Sequence, residues 1–313
     1  MGMYINIKRR LDSDKAQALL VFSFLQFALA ACLLCVPNSV LACTSCLCGD
    51  PTLTTLGTEK PYAGRVQLGW EAIYREEETG TGADLKTVEQ LQHTLQASYW
   101  PTKKIGLSFV LPVYSTLKLA TQNGANQEGS GTGDLEINTR YYQWQNRRYN
   151  AGFIAGMRLA TGREQTTGTG ELIDIDAQPA QGVYQVRLGL WYSRYQYPWS
   201  FHSSVMAYVA LNEGFQGFEP GEQATFNGIG QYAMTKKLSV MLGVEARIGK
   251  KDAFYERLDD HSGGAIAYAV LGLVGQWGAS GTWHIKAQVD AYNGLKGAHE
   301  EPFVIYTGLG YGF

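Results

Sequence analysis

The sequence predicts an all-β fold, a 12-stranded antiparallel transmembrane β-barrel, and three observations carry that reading. Apolar and polar side chains alternate with a period of two over successive segments of about ten residues. The connections between these segments alternate between short and long. Aromatic residues crowd beside the short connections. Composition agrees, since the 313 residues are 45% hydrophobic and 17% charged, with 37 Gly and 19 Tyr. That mixture suits strands and tight turns rather than long helices.

The chain opens with a basic stretch, Lys8-Arg9-Arg10, an apolar run over 16–36 and the small-residue pair Val40 and Ala42. Residues 1–42 therefore read as a secretory signal cleaved after Ala42. The apolar run is long enough to span a bilayer, so a membrane anchor is the alternative, disfavoured by the small-residue cleavage site. Residues 43–62 follow as a Cys-containing segment, and 63–313 as the barrel. Beyond the signal no convincing apolar run of transmembrane-helix length occurs; the nearest, 263–277, is rich in glycine and fits a strand.

The first strand is "RVQLGWEAIYR", with Val66, Leu68, Trp70, Ala72 and Tyr74 on one face and Gln67, Gly69 and Glu71 on the other. The second, "EQLQHTLQASYW", sets Leu91, Leu95, Ala97 and Tyr99 against Gln90, Gln92, Thr94, Gln96 and Ser98. His93 falls on the apolar parity, as a neutral imidazole near the rim or a local slip of register. Ten further strands are predicted at 105–117, 135–144, 151–161, 183–194, 199–211, 224–234, 238–248, 264–277, 282–292 and 302–313. Short turns lie at 102–104, 145–149, 196–198, 235–237 and 278–281. Long loops lie at 76–88, 118–134, 162–182, 212–223, 249–262 and 293–301.

A secreted β-sandwich also alternates apolar and polar residues. The aromatics beside the short turns, among them Tyr99, Trp100, Tyr141, Tyr142, Trp144, Tyr149, Tyr197, Trp199, Tyr232 and Trp277, favour the barrel, because amphipathic rings at one level form an interfacial girdle. The polar parity carries Glu71, Arg75, Glu136, Arg140, Arg158, Arg187, Glu245, Arg247, Lys286 and Asp290. Mid-strand charges are costly in lipid, so these residues are expected to line a hydrated lumen and pair there.

The chain ends "TGLGYGF". Gly308, Tyr311 and Phe313 in this stretch resemble the terminal assembly signal of bacterial outer-membrane proteins. The resemblance implies residence in the outer membrane of a Gram-negative bacterium, with membrane lipid, lipopolysaccharide and the outer-membrane assembly machinery as partners. Short turns would then be periplasmic and long loops extracellular. Charge follows this geography: the long loops are rich in acids, whereas Lys103, Lys104, Arg147, Arg148, Lys236 and Lys237 sit in short turns. An acidic outer rim offers ligands for divalent ions that bridge lipopolysaccharide or attracts cationic solutes; the alternative is a set of merely solvated loops. No nucleic-acid motif is present.

Catalysis is not expected. "FHSS" (His202, Ser203, Ser204) and "DDHSGG" (259–264) hold the residue types of a hydrolase, but no nucleophile elbow or oxyanion motif accompanies them. The default is a channel or transporter passing small solutes. "GTGD" (131–134), "ATG" (160–162) and "GTGE" (168–171) resemble the transporter-like barrels associated with phenol meta-pathway degradation. That resemblance implies passage of small, including aromatic, molecules.

No resident cofactor is expected, with one open question at "CTSCLCGD". Cys43 and Cys46 have haem-attachment spacing, but Leu47 stands where the axial His belongs. Cys43, Cys46 and Cys48 offer three thiolates for a soft metal ion or redox use, while Val40-Leu41-Ala42 before Cys43 is a partial lipidation signal. The competing function is therefore a non-transporting structural or redox-associated barrel that docks a periplasmic redox partner through this segment.

Overall fold

The computed structural model describes residues 63–82, 85–121, 126–278 and 280–313. The expected signal over 1–42 and the residues Cys43, Cys46 and Cys48 lie outside the described residues. Twelve long strands build one sheet: β1 (Val66–Thr79), β2 (Lys86–Thr102), β3 (Ile105–Thr121), β4 (Leu135–Gln145), β5 (Tyr149–Leu159) and β6 (Gln185–Gln196) form its first half. The second half is β7 (Trp199–Ala210), β8 (Gln223–Ala233), β9 (Leu238–Gly249), β10 (Gly264–Trp277), β11 (Gly281–Leu295) and β12 (Phe303–Gly312). Each strand pairs antiparallel with the next, and β12 pairs back onto β1 from Gln67↔Gly312 to Arg75↔Val304. The sheet closes on itself, so the long strands leave no open edge at the seam.

Local chemistry makes the short turns. Thr102 Oγ1 accepts from the amides of Lys104 and Ile105, and Thr235 Oγ1 does the same for Lys237 and Leu238, so the repeated Thr-Lys-Lys stretches fold as the same side-chain-capped turn. Asn146 Oδ1 accepts from the amides of Arg148 and Tyr149 in the second turn.

Alternation along each strand separates the two faces. Leu95, Phe109, Phe153, Leu190, Val244, Leu271 and Ile285 are exposed, whereas Gln96, Asn138, Ser204, Asn227, Glu245 and Lys286 are buried. This inverts the water-soluble arrangement. An apolar belt left facing water would cost about 25 cal/mol per Å², and lipid removes that cost. Among the described residues no helix is long and apolar enough to cross a membrane.

Two expectations are corrected. The first long loop, expected over 76–88, shrinks to 80–85 because Glu76–Thr79 and Lys86–Glu89 continue the β1–β2 ladder. Of the aromatics expected in the girdle, Tyr141, Trp144, Tyr149, Tyr197, Trp199 and Trp277 are exposed, but Tyr142 is buried and Trp100 packs against it. Ordinary alternation accounts for this, since Tyr142 shares the inward parity of Glu136, Asn138 and Arg140, and the bulge that follows it turns Trp144 to the outer face. His93 stays on the outer face, stacked on Trp70 at 5.7 Å and facing Tyr114 at 6.5 Å, beside a bulge between His93 and Thr94.

The long loops also carry structure. Gln127–Gly131 pairs with the far end of β3, and Phe218–Glu219, Ala253–Phe254 and Arg257–Leu258 make a three-stranded sheet. Phe218 packs with Ile175 and Val183 of the 160–184 loop, which links the loops at this end of the barrel.

Candidate functional site

The buried parity of the wall is a polar surface built from amides, hydroxyls and charges. On β2 it forms a ladder: Gln90 Nε2 donates to Gln92 Oε1 at 3.3 Å, and Gln92 Nε2 donates to Thr94 Oγ1 at 2.9 Å. Residues two apart in a strand share a face, so each donor meets the next acceptor. Unsatisfied buried amides are costly, and the ladder satisfies them in sequence.

The 160–184 loop packs against this wall. Ile173 and Ala177 bury against Val88, Leu117 and Leu119 of β2 and β3. Lys86 Nζ lies 2.9 Å from Asp174 Oδ2 and 3.5 Å from Asp176 Oδ2. Asp134 ties both ends of the loop: Oδ1 accepts from the Gly162 amide at 3.0 Å and Oδ2 from the Gln181 amide at 3.2 Å. Thr161 Oγ1 accepts from the Leu135 amide at 2.9 Å. The "GTGD" and "ATG" stretches are thus in contact and together anchor the loop. A cavity of about 100 Å³ lies between Gln90, Gln92, Thr94 and Gln96 of β2, Glu136 and Arg158 of β4 and β5, and Gln178 to Gln181 of the loop.

The expected site residues fall into separate groups. Glu136, Arg158 and Arg187 meet on β4, β5 and β6: Glu136 Oε1 accepts from Arg158 Nε at 3.1 Å and Nη2 at 3.0 Å, and both Arg187 terminal nitrogens donate to the same carboxylate. Arg187 also lies over the Tyr208 ring, 5.3 Å from its centroid. Glu71 lies 3.0 Å from His284. Glu245 and Lys286 are 3.8 Å apart, with Lys286 over the Tyr306 ring. Arg75 pairs with Glu77 at 3.3 Å and donates to Gln90 Oε1 at 2.6 Å. Arg247 pairs with Glu301. Arg140 lies over the Trp191 ring at 4.8 Å. Asp290 is half-exposed near the long-loop end and stands apart from these groups. Of the terminal stretch, Tyr311 and Phe313 are exposed, while Gly308 is on the buried parity.

An aromatic cluster runs along the inner face, from Trp100 and Tyr142 near the short turns to Tyr208 near the long-loop end. Tyr142, Ile154, Trp191, Met206 and Tyr208 are buried together, with Trp100 packed against them. Tyr142 and Trp191 meet edge to face at 4.7 Å, and Trp100 Nε1 donates to the Tyr142 hydroxyl at 3.2 Å. His202 Nδ1 lies 2.8 Å from Ser193 Oγ, its register partner across the β6–β7 hairpin. This Ser–His contact has no carboxylate orienting the imidazole among the hydrogen bonds described, so it lacks the third group that a nucleophilic triad uses.

Asp134, Gln178, Gln181, His284, Glu77, His299 and Glu301 are site residues that strand patterning does not reveal. Asp134 alone had a signal, in its Gly-Thr-Gly-Asp context.

A closed wall of twelve antiparallel strands, apolar outside and polar inside, with short turns at one end and long loops at the other, is a bacterial outer-membrane β-barrel fold. A solved structure agrees with this fold. The COG4313 outer membrane channel from Pseudomonas putida F1 superposes with a TM-score of 0.64 at 13% identity, covering 82% of this chain and 99% of that one. The NanC porin gives 0.47 at 10% identity, covering 78% and 98%. The TodX deltaS2S3 mutant monoaromatic hydrocarbon channel gives 0.43 at 9% identity, covering 88% and 96%. The fold assignment rests on the first of these. No family model matches the chain, and no curated protein matches it.

Proposed function

We propose that the chain is an outer-membrane channel that passes small solutes through the interior of its barrel. The observation that carries the reading is the buried polar wall: its charges are grouped with counterions or aromatic faces, and its amide ladder borders a cavity beside an inward-packed loop. Such a surface offers hydrogen bonds to a passing solute without a strong excess of one charge. In this reading Glu71, Arg75, Glu136, Arg140, Arg158, Arg187, Glu245, Arg247, Lys286 and Asp290 line the lumen. The short turns face the periplasm, the exposed belt meets membrane lipid and lipopolysaccharide, and Gly308, Tyr311 and Phe313 serve the assembly machinery. Residues 1–42 direct export, and Cys43, Cys46 and Cys48 remain as a periplasmic tether or metal-binding segment.

The aromatic cluster narrows the solute class. Trp191 and Tyr208 carry guanidinium groups on their faces, and Tyr142 packs beside them. Flat, partly aromatic solutes with polar substituents fit a wall made of rings and amides. The phenol meta-pathway resemblance supports the same class.

Planar-bilayer recording of the refolded protein tests the reading. Small, discrete conductance steps that fall when a phenolic solute is added are expected. A heat-modifiable, folded barrel without conductance would overturn the channel and leave the docking barrel as the better account.

A further inference from the structure

At the long-loop end of the seam where β1 meets β12, three ligand-bearing side chains converge. Glu77 lies near the end of β1, and His299 begins the short strand His299–Glu300 that pairs with Glu78 and Thr79. Glu301 follows, just before β12. Their side chains are at most 4% exposed. His299 Nε2 lies 3.1 Å from Glu77 Oε1 and 3.4 Å from Glu301 Oε1, and all three ligand atoms lie within 4.8 Å of one another.

Two features distinguish this from an ordinary ion pair. First, neither ring nitrogen of His299 makes a hydrogen bond of good geometry, although the residue is 2% exposed. Both carboxylate oxygens are nevertheless within 3.4 Å of Nε2, so the nitrogen sits between two anionic oxygens without a well-formed hydrogen bond to either. Second, the two separations from His299 match a coordination shell. Ligands held about 2.0–2.1 Å from a tetrahedral zinc ion stand roughly 3.3–3.4 Å apart, close to both separations.

The surroundings hold the carboxylates in place. Arg75 Nη1 lies 3.3 Å from Glu77 Oε2, leaving Oε1 facing His299. Arg75 is itself held by Gln90 Oε1. The Tyr268 hydroxyl donates to Glu301 Oε2, and Arg247 donates to Oε1. Hydrogen-bonded outer partners of this kind orient metal-ligating carboxylates.

We propose that Glu77, His299 and Glu301 bind one divalent ion of the zinc type, with a fourth position open to water, and so staple the 296–302 segment to β1. The site is independent of transport, since a barrel without conductance can hold the ion.

The test uses full-length protein folded in detergent, with its thiols alkylated so that cysteines do not bind metal. Titration with Co²⁺, read by visible absorption, and with Zn²⁺, read by calorimetry, is expected to give one ion per barrel with the bands of a tetrahedral nitrogen and oxygen site. His299→Ala and Glu301→Gln are each expected to weaken Zn²⁺ binding at least tenfold, with the unheated gel band showing that each variant is folded. Glu77→Gln provides the same readout if His299→Ala does not fold, and His93→Ala, on the outer face, leaves binding unchanged. Folded protein that binds no stoichiometric Zn²⁺ or Co²⁺ would overturn the proposal and leave an imidazolium held between two carboxylates. Binding unaltered by all three ligand substitutions would overturn it equally.

Discussion

His284 on β11 reaches Glu71 on β1 across the whole width of β12, with 3.0 Å between Nε2 and Oε2. The residue beneath the contact is Gly308, which is the register partner of both Glu71 and His284. A Cβ at Gly308 would lie 2.4 Å from His284 Cε1 and 2.9 Å from the Trp70 carbonyl oxygen. The glycine is what lets two side chains from non-adjacent strands meet over the closing strand.

Gly308→Ala is therefore expected to break the Glu71–His284 contact. One clash is with a ring and the other with backbone, so rotation of a single side chain does not relieve it. Overpacking of this kind costs about 1–3 kcal/mol. The temperature at which the folded gel band disappears should fall, whereas Gly230→Ala, whose Cβ would meet only the Leu242 carbonyl oxygen at 3.7 Å, should leave it nearly unchanged.

Glu136→Gln removes the anion between two guanidinium groups, and Arg187 is 2% exposed. Leaving a buried charge without its counterion costs about 3–5 kcal/mol. Urea unfolding in detergent measures the loss. In a conducting barrel, the same variant should shift the reversal potential in a salt gradient toward anion preference.

Leu190 is on the exposed parity near the middle of β6. Leu190→Arg is expected to destabilise the barrel in lipid by about 2–4 kcal/mol, whereas a rim position costs about 0–1. Tyr197, exposed in a short turn, is the rim comparison. Equal losses for Leu190→Arg and Tyr197→Arg, measured by unfolding in vesicles, would sink the assignment of the exposed parity to lipid.

The wall was legible in the sequence because its signal is local: a residue and its neighbours two positions away declare both faces. Tyr142 obeys that rule, sharing the parity of Glu136 and Arg140; what the pattern hides is the bulge after it, which returns Trp144 to the outer face. The inward loop was not legible. It is held by Asp134 to Gln181 and by Lys86 to Asp174, contacts 47 and 88 residues apart, and an acidic, glycine-rich stretch reads as a solvated loop until its partners are known. Glu77 and Glu301 were hidden for the same reason, since acids beside a loop gave no sign of burial.

Loop docking should depend on pH through Asp176, which lies in the short helical turn Ile175–Ala177 outside the strands. Burial and the neighbouring Asp174 carboxylate, with a smaller contribution from Glu77, push Asp176 up to about 6 from its ordinary 3.8, against the pull of Lys86. The docked form binds more protons between these values, so the contribution is fully present below about 3.8 and is lost as pH rises through about 6. The span amounts to at most about 3 kcal/mol. Hydrogen exchange over 173–181, corrected for intrinsic rates, should show less protection at pH 7.5 than at pH 5, in buffers on either side of the Asp176 transition at about 6. Asp176→Asn should flatten that difference.

The inward loop can be dislodged without touching the twelve-stranded wall. A Cβ at Gly129 would lie 2.0 Å from the Ala177 carbonyl oxygen and 3.4 Å from Pro179 Cδ. Backbone cannot turn aside as a side chain can, so Gly129→Ala must push the 173–179 stretch away from β2 and β3. Asp134→Ala acts from the other side: it leaves the Gly162 and Gln181 amides without their carboxylate, at about 1–3 kcal/mol for each that stays buried. Neither residue belongs to the long strands, so the folded gel band should persist in both variants. If the loop is the constriction, single-channel conductance should rise several-fold in each, and the double variant should add little, because both release the same segment. Wild-type conductance in both would place the constriction elsewhere, with the ring cluster of Tyr142, Trp191 and Tyr208 as the next position to open.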